Sequence, residues 1–276
     1  ATAARAAMLF KQLYGDDGDS VPPYADCLKR ISYASESLGD LEQAETAAQA
    51  AAKIYSGWFT SKSPKYGVMV SQLASIAKTR GEYAKAERLY REALETDQNV
   101  YGDIHREVAI NLENLGSLYS WMNQYARAEQ TLLLALDNFE KAGLTGDTNY
   151  AVTKKILADV FENSGKLDEA ERRYLDAEKT YAKLFQRTSA ETAYLQQSIG
   201  QLYRQKGEYD EALRRFEEYA AILRGLGIAD GVALDEIGRT YHSMKEYEDS
   251  ERTFDRAIAV LRESHGVTHF RTRSAY

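Results

Sequence analysis

Gly39-Asp-Leu41-Glu-Gln-Ala44 returns five more times along the chain, as Gly81-Glu-Tyr83-Ala-Lys-Ala86, Asn123-Gln-Tyr125-Ala-Arg-Ala128, Gly165-Lys-Leu167-Asp-Glu-Ala170, Gly207-Glu-Tyr209-Asp-Glu-Ala212 and Lys245-Glu-Tyr247-Glu-Asp-Ser250. Successive copies start 42 residues apart four times and then 38. A period this regular marks a solenoid, in which each supersecondary unit touches only its neighbours and length counts repeats rather than domains. One elongated domain is therefore expected. Its walls would be long and would suit another protein.

Each repeat reads as two helices around that phrase. Eight and seven residues before the turn, an aliphatic residue is followed by a small one: Ile31-Ser32, Leu73-Ala74, Leu115-Gly116, Leu157-Ala158, Ile199-Gly200 and Ile237-Gly238. Four residues before the turn stand Ser35, Ala77, Tyr119, Phe161, Tyr203 and Tyr241. Positions four apart share one face of a helix. After the turn, Ala86, Tyr90 and Ala93 set the buried face of a second helix, and Ala128, Leu132, Ala135 and Ala170, Tyr174, Ala177 repeat it. Large residues facing Ala or Gly let two antiparallel helices approach closely. The turn Gly supplies a left-handed helix cap, which Asn123 can also fill. Lys245 cannot adopt it comfortably, so the last turn is expected to differ in shape or to carry strain.

Composition fits a folded helical chain: 44% hydrophobic and 28% charged residues with only 3 Pro leave no segment that reads as disordered. A net charge of −7 offers no basic field for phosphate backbones, so nucleic acid is not an expected partner. No window has the ~18 consecutive apolar residues of a membrane-spanning helix, and no membrane is expected. Cys27 stands alone, which suits a reducing compartment and points to the cytoplasm. His265 and His269 have a metal-chelating spacing, but Gly266 interrupts them and no acidic third ligand is near. No nucleophile pair or phosphate loop is present, and no enzyme activity, metal or cofactor is expected.

Small residue, aromatic, Gly-x-Tyr-x-x-Ala and a later aromatic-x-x-Ala together resemble the tetratricopeptide repeat. The 42-residue period resembles the kinesin-light-chain type of that repeat, as do Ala86-Glu87, Ala128-Glu129 and Ala170-Glu171. So do the phrase Asn114-Leu115-Gly116-Ser-Leu-Tyr119 and the linker Tyr101-Gly102-Asp-Ile-His105. The resemblance implies an all-α, right-handed superhelical solenoid of antiparallel helix pairs. It implies six pairs over residues 23–264 with turns at 39, 81, 123, 165, 207 and 245. Residues 1–22 would close a truncated preceding repeat and 265–276 would begin a further repeat or a tail. Tyr14-Gly15-Asp16 copies Tyr101-Gly102-Asp103, and Gly266-Val-Thr-His269 stands where Gly102-Asp-Ile-His105 does. Both ends thus read as cut from a longer array, able to self-associate through uncapped ends.

The resemblance further implies that first helices line a concave groove that accepts extended peptides. Nine residues before the turns come Arg30, Gln72, Asn114, Ile156, Ser198 and Glu236. Six before come Tyr33, Ser75, Ser117, Asp159, Gln201 and Arg239, and three before come Glu36, Lys78, Ser120, Glu162, Arg204 and His242. Amides and hydroxyls there can bond a ligand's backbone whatever its side chains. The resemblance assigns main-chain contact to Asn114, and Gln72 could act alike one repeat earlier, while Ile156 and Ser198 break the ladder. Lys155, Arg204 and Arg239 with Tyr194 suggest an acidic peptide segment along the later half, or charges that only solvate exposed helices. Trp121 reads as an exposed anchor or as packing between repeats. Trp58 reads as a packing plug in an inter-repeat loop. The candidate groove set is therefore Gln72, Asn114, Trp121, Lys155, Tyr194, Gln201, Arg204 and Arg239. A protein-interaction scaffold is the leading expectation. The alternative is a sensing or autoinhibitory arm of a larger signalling protein, such as a nucleotide-switch ATPase of the STAND class or a caspase-like protease.

Overall fold

The computed structural model describes residues 21–59 and 63–265. The expected truncated repeat before residue 21, the further repeat after 265 and His269 of the histidine pair lie outside the described residues. Among those residues there are twelve helices and no strand. In order they are α1 (Pro22–Ser37), α2 (Leu41–Phe59), α3 (Pro64–Thr79), α4 (Tyr83–Tyr101), α5 (Arg106–Trp121), α6 (Tyr125–Lys141), α7 (Thr148–Asn163), α8 (Leu167–Leu184), α9 (Ala190–Lys206), α10 (Tyr209–Gly225), α11 (Gly231–Met244) and α12 (Tyr247–His265). The chain divides into two compact units, the first ending at Thr145 and the second starting at Gly146. Each holds three of the described helix pairs.

Pairs are antiparallel. The Tyr55 hydroxyl near the end of α2 donates to Asp26 near the start of α1 at 2.5 Å, while Ser32 near the end of α1 donates to the Ala44 carbonyl at the start of α2 at 2.8 Å. First helices open with strong caps: Pro22 and Pro64 occupy first-turn positions, and the Ser63, Asp147 and Ser189 side chains accept from backbone N–H groups two or three residues on.

All six turns share one geometry. The N–H one residue after the turn donates to the carbonyl four before it: Asp40 to Ser35, Glu82 to Ala77, Gln124 to Tyr119, Lys166 to Phe161, Glu208 to Tyr203 and Glu246 to Tyr241, at 2.8–3.0 Å. This closes each first helix through a left-handed residue. Asn123 takes φ 57° and Lys245 takes φ 66°, beside glycines near 80°. Of the two outcomes expected at Lys245, a changed shape or strain, the turn takes the second: it keeps the common hydrogen bonds and places a side-chain-bearing residue in the left-handed region, which costs roughly 1–2 kcal/mol. Pairing of the two helices on either side outweighs that strain.

The small-residue row sets how closely paired helices approach. A Cβ added at Gly116 would come 2.7 Å from the Leu132 side chain, one at Gly200 2.6 Å from the Phe216 ring, and one at Gly238 2.8 Å from the Phe254 ring. Leu132, Phe216 and Phe254 each stand nine residues after a turn, so one periodic hole receives one periodic knob.

Successive pairs are joined by the Glu of the Ala-Glu phrase. Glu45 takes Arg80, and Lys85 at 2.8 Å, from the next pair; Glu87 takes Arg127 at 2.8 Å and the Tyr119 hydroxyl at 3.1 Å; Glu171 takes Lys206 and the Tyr203 hydroxyl at 3.0 Å. These cations hold the Glu45 and Glu87 carboxyls below the usual range: hydrogen bonding from Lys85 leads at Glu45, and at Glu87 the ties to Arg127 and Tyr119 overcome burial. The 101–105 linker is fixed as well. The His105 ring stacks on Tyr101 at 4.0 Å, and its Nδ1 accepts from the Glu107 N–H at 3.2 Å. Trp58, expected to plug a loop, instead lies in the last turn of α2 and is 59% exposed.

Candidate functional site

Three pairs of successive first helices draw together inside the units: α1 meets α3 in the first, and α7 meets α9 and α9 meets α11 in the second. The first-helix side of each unit is therefore its tighter, concave side. Helices α3 and α5 do not close up in the same way, and a cavity of about 260 Å³ lies where they part. Gln72 and Asn114, one repeat apart, both line it. Gln72 is buried, its amide N–H₂ donating to Glu36 at 2.7 Å and to the Ser32 hydroxyl at 3.4 Å; Ser75 donates to the other Glu36 oxygen at 2.8 Å. Asn114 is half-buried and its side chain makes no hydrogen bond among the described residues.

Asp97 and Asn111 form the buried side of this cavity. Asn111 Nδ2 donates to Asp97 Oδ2 at 2.7 Å, which fixes the amide orientation because an ionised carboxylate only accepts. Both side chains are 4% exposed. Burial pushes the Asp97 carboxyl up to about 6, against the lowering effect of the Asn111 hydrogen bond, and Glu107 adds to the rise. Glu107 also lines the cavity and pairs with Arg106 at 3.1 Å. Tyr33 and Tyr90 complete the walls, Tyr33 at the exposed rim.

Asp97 and Asn111 were missed in reading the sequence, although a signal was there. Sixteen residues after the other five turns stand Tyr55, Phe139, Tyr181, Leu223 and Leu261, all buried. In the first unit Tyr55 packs in one cluster with Met69, twelve residues before the next turn, and in the second Leu223 packs in one cluster with Ala233, again twelve before. Asp97 and Asn111 occupy those same two places. A carboxylate and an amide thus replace apolar bulk at this one seam, and the missing bulk is the cavity.

The second unit's groove is occupied by its own side chains. Arg204 donates to Glu236 at 2.7 Å and to the Glu236 carbonyl at 3.2 Å, and Gln201 donates to the same carboxylate at 2.8 Å. Lys155 pairs with Asp159 at 2.9 Å, and Arg239 with Asp235 at 2.7 Å. The Tyr174 hydroxyl bridges Asp159 at 2.5 Å and Glu162 at 2.6 Å, and Gln205 donates to Glu162 at 2.7 Å. Burial pushes Glu162 up to about 7 despite its hydrogen bond from Tyr174, with Asp159 adding to the rise.

Of the expected groove residues, then, Gln72 and Asn114 meet in one cavity and Gln201 and Arg204 meet on Glu236. Lys155, Tyr194 and Arg239 join neither group; Tyr194 is 59% exposed. Trp121, the last residue of α5, is 64% exposed. Among the described residues no group of three or more His, Cys, Asp or Glu is placed to hold a metal ion, and no helix is long and apolar enough to cross a membrane.

Residues 65–141, 149–225 and 232–271 match tetratricopeptide repeat families. BtubC (BKLC) from P. vanneervenii is similar in structure, with 24% identity, a TM-score of 0.68, and coverage of 87% of this chain and 92% of that one. A Podosopora anserina chain described as a kinesin light chain with nearly identical repeats has 16% identity, a TM-score of 0.63, and coverage of 73% and 97%. A Rap protein complexed with competence and sporulation factor has 16% identity, a TM-score of 0.59, and coverage of 100% of this chain and 66% of that one. No curated protein matches by sequence search.

Proposed function

Since the chain belongs to the tetratricopeptide repeat family, we propose that it is a protein-interaction scaffold that holds an extended segment of a partner along the first-helix side of its repeats. The observation that carries this reading is the pair Gln72 and Asn114, on first helices of successive repeats, at one cavity whose Asn114 amide has no side-chain partner. A free amide offers both a donor and an acceptor to a passing peptide group, and an extended backbone presents both. Trp121, two residues before its turn and exposed, would add an apolar anchor next along the same helix. A chain of the same fold solved with a bound factor is in keeping with this use of the groove.

The acidic segment expected for the later half would meet competition. Arg204, Lys155 and Arg239 each hold a carboxylate of the chain, so an incoming acid must displace Glu236, Asp159 or Asp235. The lone, half-buried Cys27 favours a reducing compartment such as the cytoplasm. Catalysis forms no part of the proposal.

An array of 12-residue peptides probed with the native chain and with Asn114→Ala tests the reading. Captured peptides should lose roughly three- to tenfold of their affinity for the variant, the weight of one or two hydrogen bonds. Equal capture by two chains of equal helix content would overturn it.

A further inference from the structure

Three buried side-chain oxygens around the first-unit cavity have no donor among the described residues. Asn111 and Gln72 are held with their N–H₂ groups turned to carboxylates, so Asn111 Oδ1 and Gln72 Oε1 are left as acceptors. Asp97 Oδ2 takes the Asn111 N–H, and Oδ1 takes none. All three residues are 4% exposed and line the cavity. Asp97 Oδ1 lies beside a helix backbone stripped of side chain: a Cβ added at Gly67 would stand 3.4 Å from it. Among the described residues two carboxylates line the cavity, those of Asp97 and Glu107, and no Lys, Arg or His does, although His105 stands near enough to Asp97 to favour its charged form.

Buried acceptors without donors are costly, and a buried carboxylate without a cation more so. A group rich in N–H donors and positively charged satisfies both demands at once. The volume, about 260 Å³, falls just under the roughly 300–1,000 Å³ of sites for drug-sized ligands, which suits a single long side chain. Tyr33 and Tyr90 offer ring surface to an aliphatic stem or a planar guanidinium.

We propose that this cavity receives a lysine or arginine side chain of the bound partner segment, its charged end placed between Asp97 Oδ1, Asn111 Oδ1 and Gln72 Oε1. The proposal rests on the groove reading given above and adds the ligand chemistry at one position. The raised pKa of Asp97 is in keeping with a carboxylate that waits for its counter-ion. Specificity would then arise at the one seam where an acid replaces apolar bulk, and a basic residue would set the register of the segment against Asn114.

The test uses the ¹⁵N-labelled 276-residue chain and blocked peptides Ac-Ala-Ala-Xaa-Ala-Ala-NH₂ with Xaa lysine, arginine or norleucine, with n-butylammonium as a free-amine arm. Lysine and arginine peptides should shift the Gly67, Asp97 and Asn111 amides saturably, at least about tenfold more tightly than norleucine. Asp97→Asn, which keeps shape and removes charge, should abolish that difference while its circular dichroism stays unchanged. Equal binding of lysine and norleucine peptides, shifts confined to other residues, or an unaltered preference in Asp97→Asn would overturn the proposal. Butylammonium binding as tightly as the lysine peptide would overturn the peptide as occupant. If Asn114→Ala weakens capture on the array but lysine gains nothing over norleucine, the groove reading stands and this one falls.

Discussion

In the first unit the groove-side residues Gln72, Asn111 and Asn114 stand around a cavity with acceptors to spare. In the second unit the corresponding surface closes on itself, with Gln201 and Arg204 on Glu236, Lys155 on Asp159, and Gln205 and Tyr174 on Glu162. Helix pairs, turns and knob-in-hole contacts are the same in both. What differs is that the first unit, beside the pairs that Gln72 and Ser75 make with Glu36, keeps a cavity onto which the unbonded Asn114 amide and the second Asp97 oxygen face. A repeat scaffold therefore does not by itself make a binding site; a site arises where the packed rows are interrupted and the interruption is left unsatisfied.

The sharpest way to break this comparison is at Arg204. Arg204→Ala leaves the buried Glu236 with Gln201 alone and should lower stability to urea unfolding by roughly 3–4 kcal/mol, as for other pairs largely withdrawn from water. A cost under about 1 kcal/mol, the range of exposed pairs, would mean that the second groove is as open as the first. A pH series refines it. Glu162 is raised from 4.5 to about 7, so its contribution is complete below pH 4.5 and is lost as pH rises through 7. Stability relative to Glu162→Gln should fall by about 3 kcal/mol across that window. Unfolding curves whose difference stays flat with pH would show that Glu162 is not held protonated. The smallest effect is expected in the first unit, and with the opposite sign. Replacing both partners, Asp97→Leu with Asn111→Met, restores the apolar residue found sixteen after the last two turns and the Met found twelve before the second, leaves no buried donor stranded, and should raise stability by about 1–2 kcal/mol in thermal melts. A destabilised variant would make Asp97 a structural strut and remove the contrast between the units.

Much of the fold was legible because its information is periodic. Gly116, Gly200 and Gly238 announce close helix approach at fixed distance from the turn, and Asn123 announces its left-handed cap by residue type alone. At Lys245 local preference leaves either a changed turn or a strained one open, and the paired helices select the strained one. Trp58 falls in a helix and not in a loop because α2 runs beyond the short apolar ladder that marks it in the sequence. The site was harder. Gln72 and Asn114 stand in a row that the period marks as groove-side, yet Gln72 is buried there; the pairings of Lys155 with Asp159 and of Arg239 with Asp235 follow the four-residue helix spacing, whereas the pairing of Arg204 with Glu236 joins two repeats, and spacing along one repeat does not tell that. Asp97 and Asn111 belong to different repeats and only acquire meaning when the sixteenth residue after one turn is set beside the twelfth before the next.

That last feature bears on how such arrays diverge. A recognition element shared across a joint is not owned by either module, so moving, copying or replacing one module on its own severs it. Changing its preference takes coordinated substitution on both sides, here in the end of α4 and the start of α5. Lineages that lengthen by tandem copying would thus preserve architecture readily while losing ligand choice wherever the breakpoint falls between the two partners.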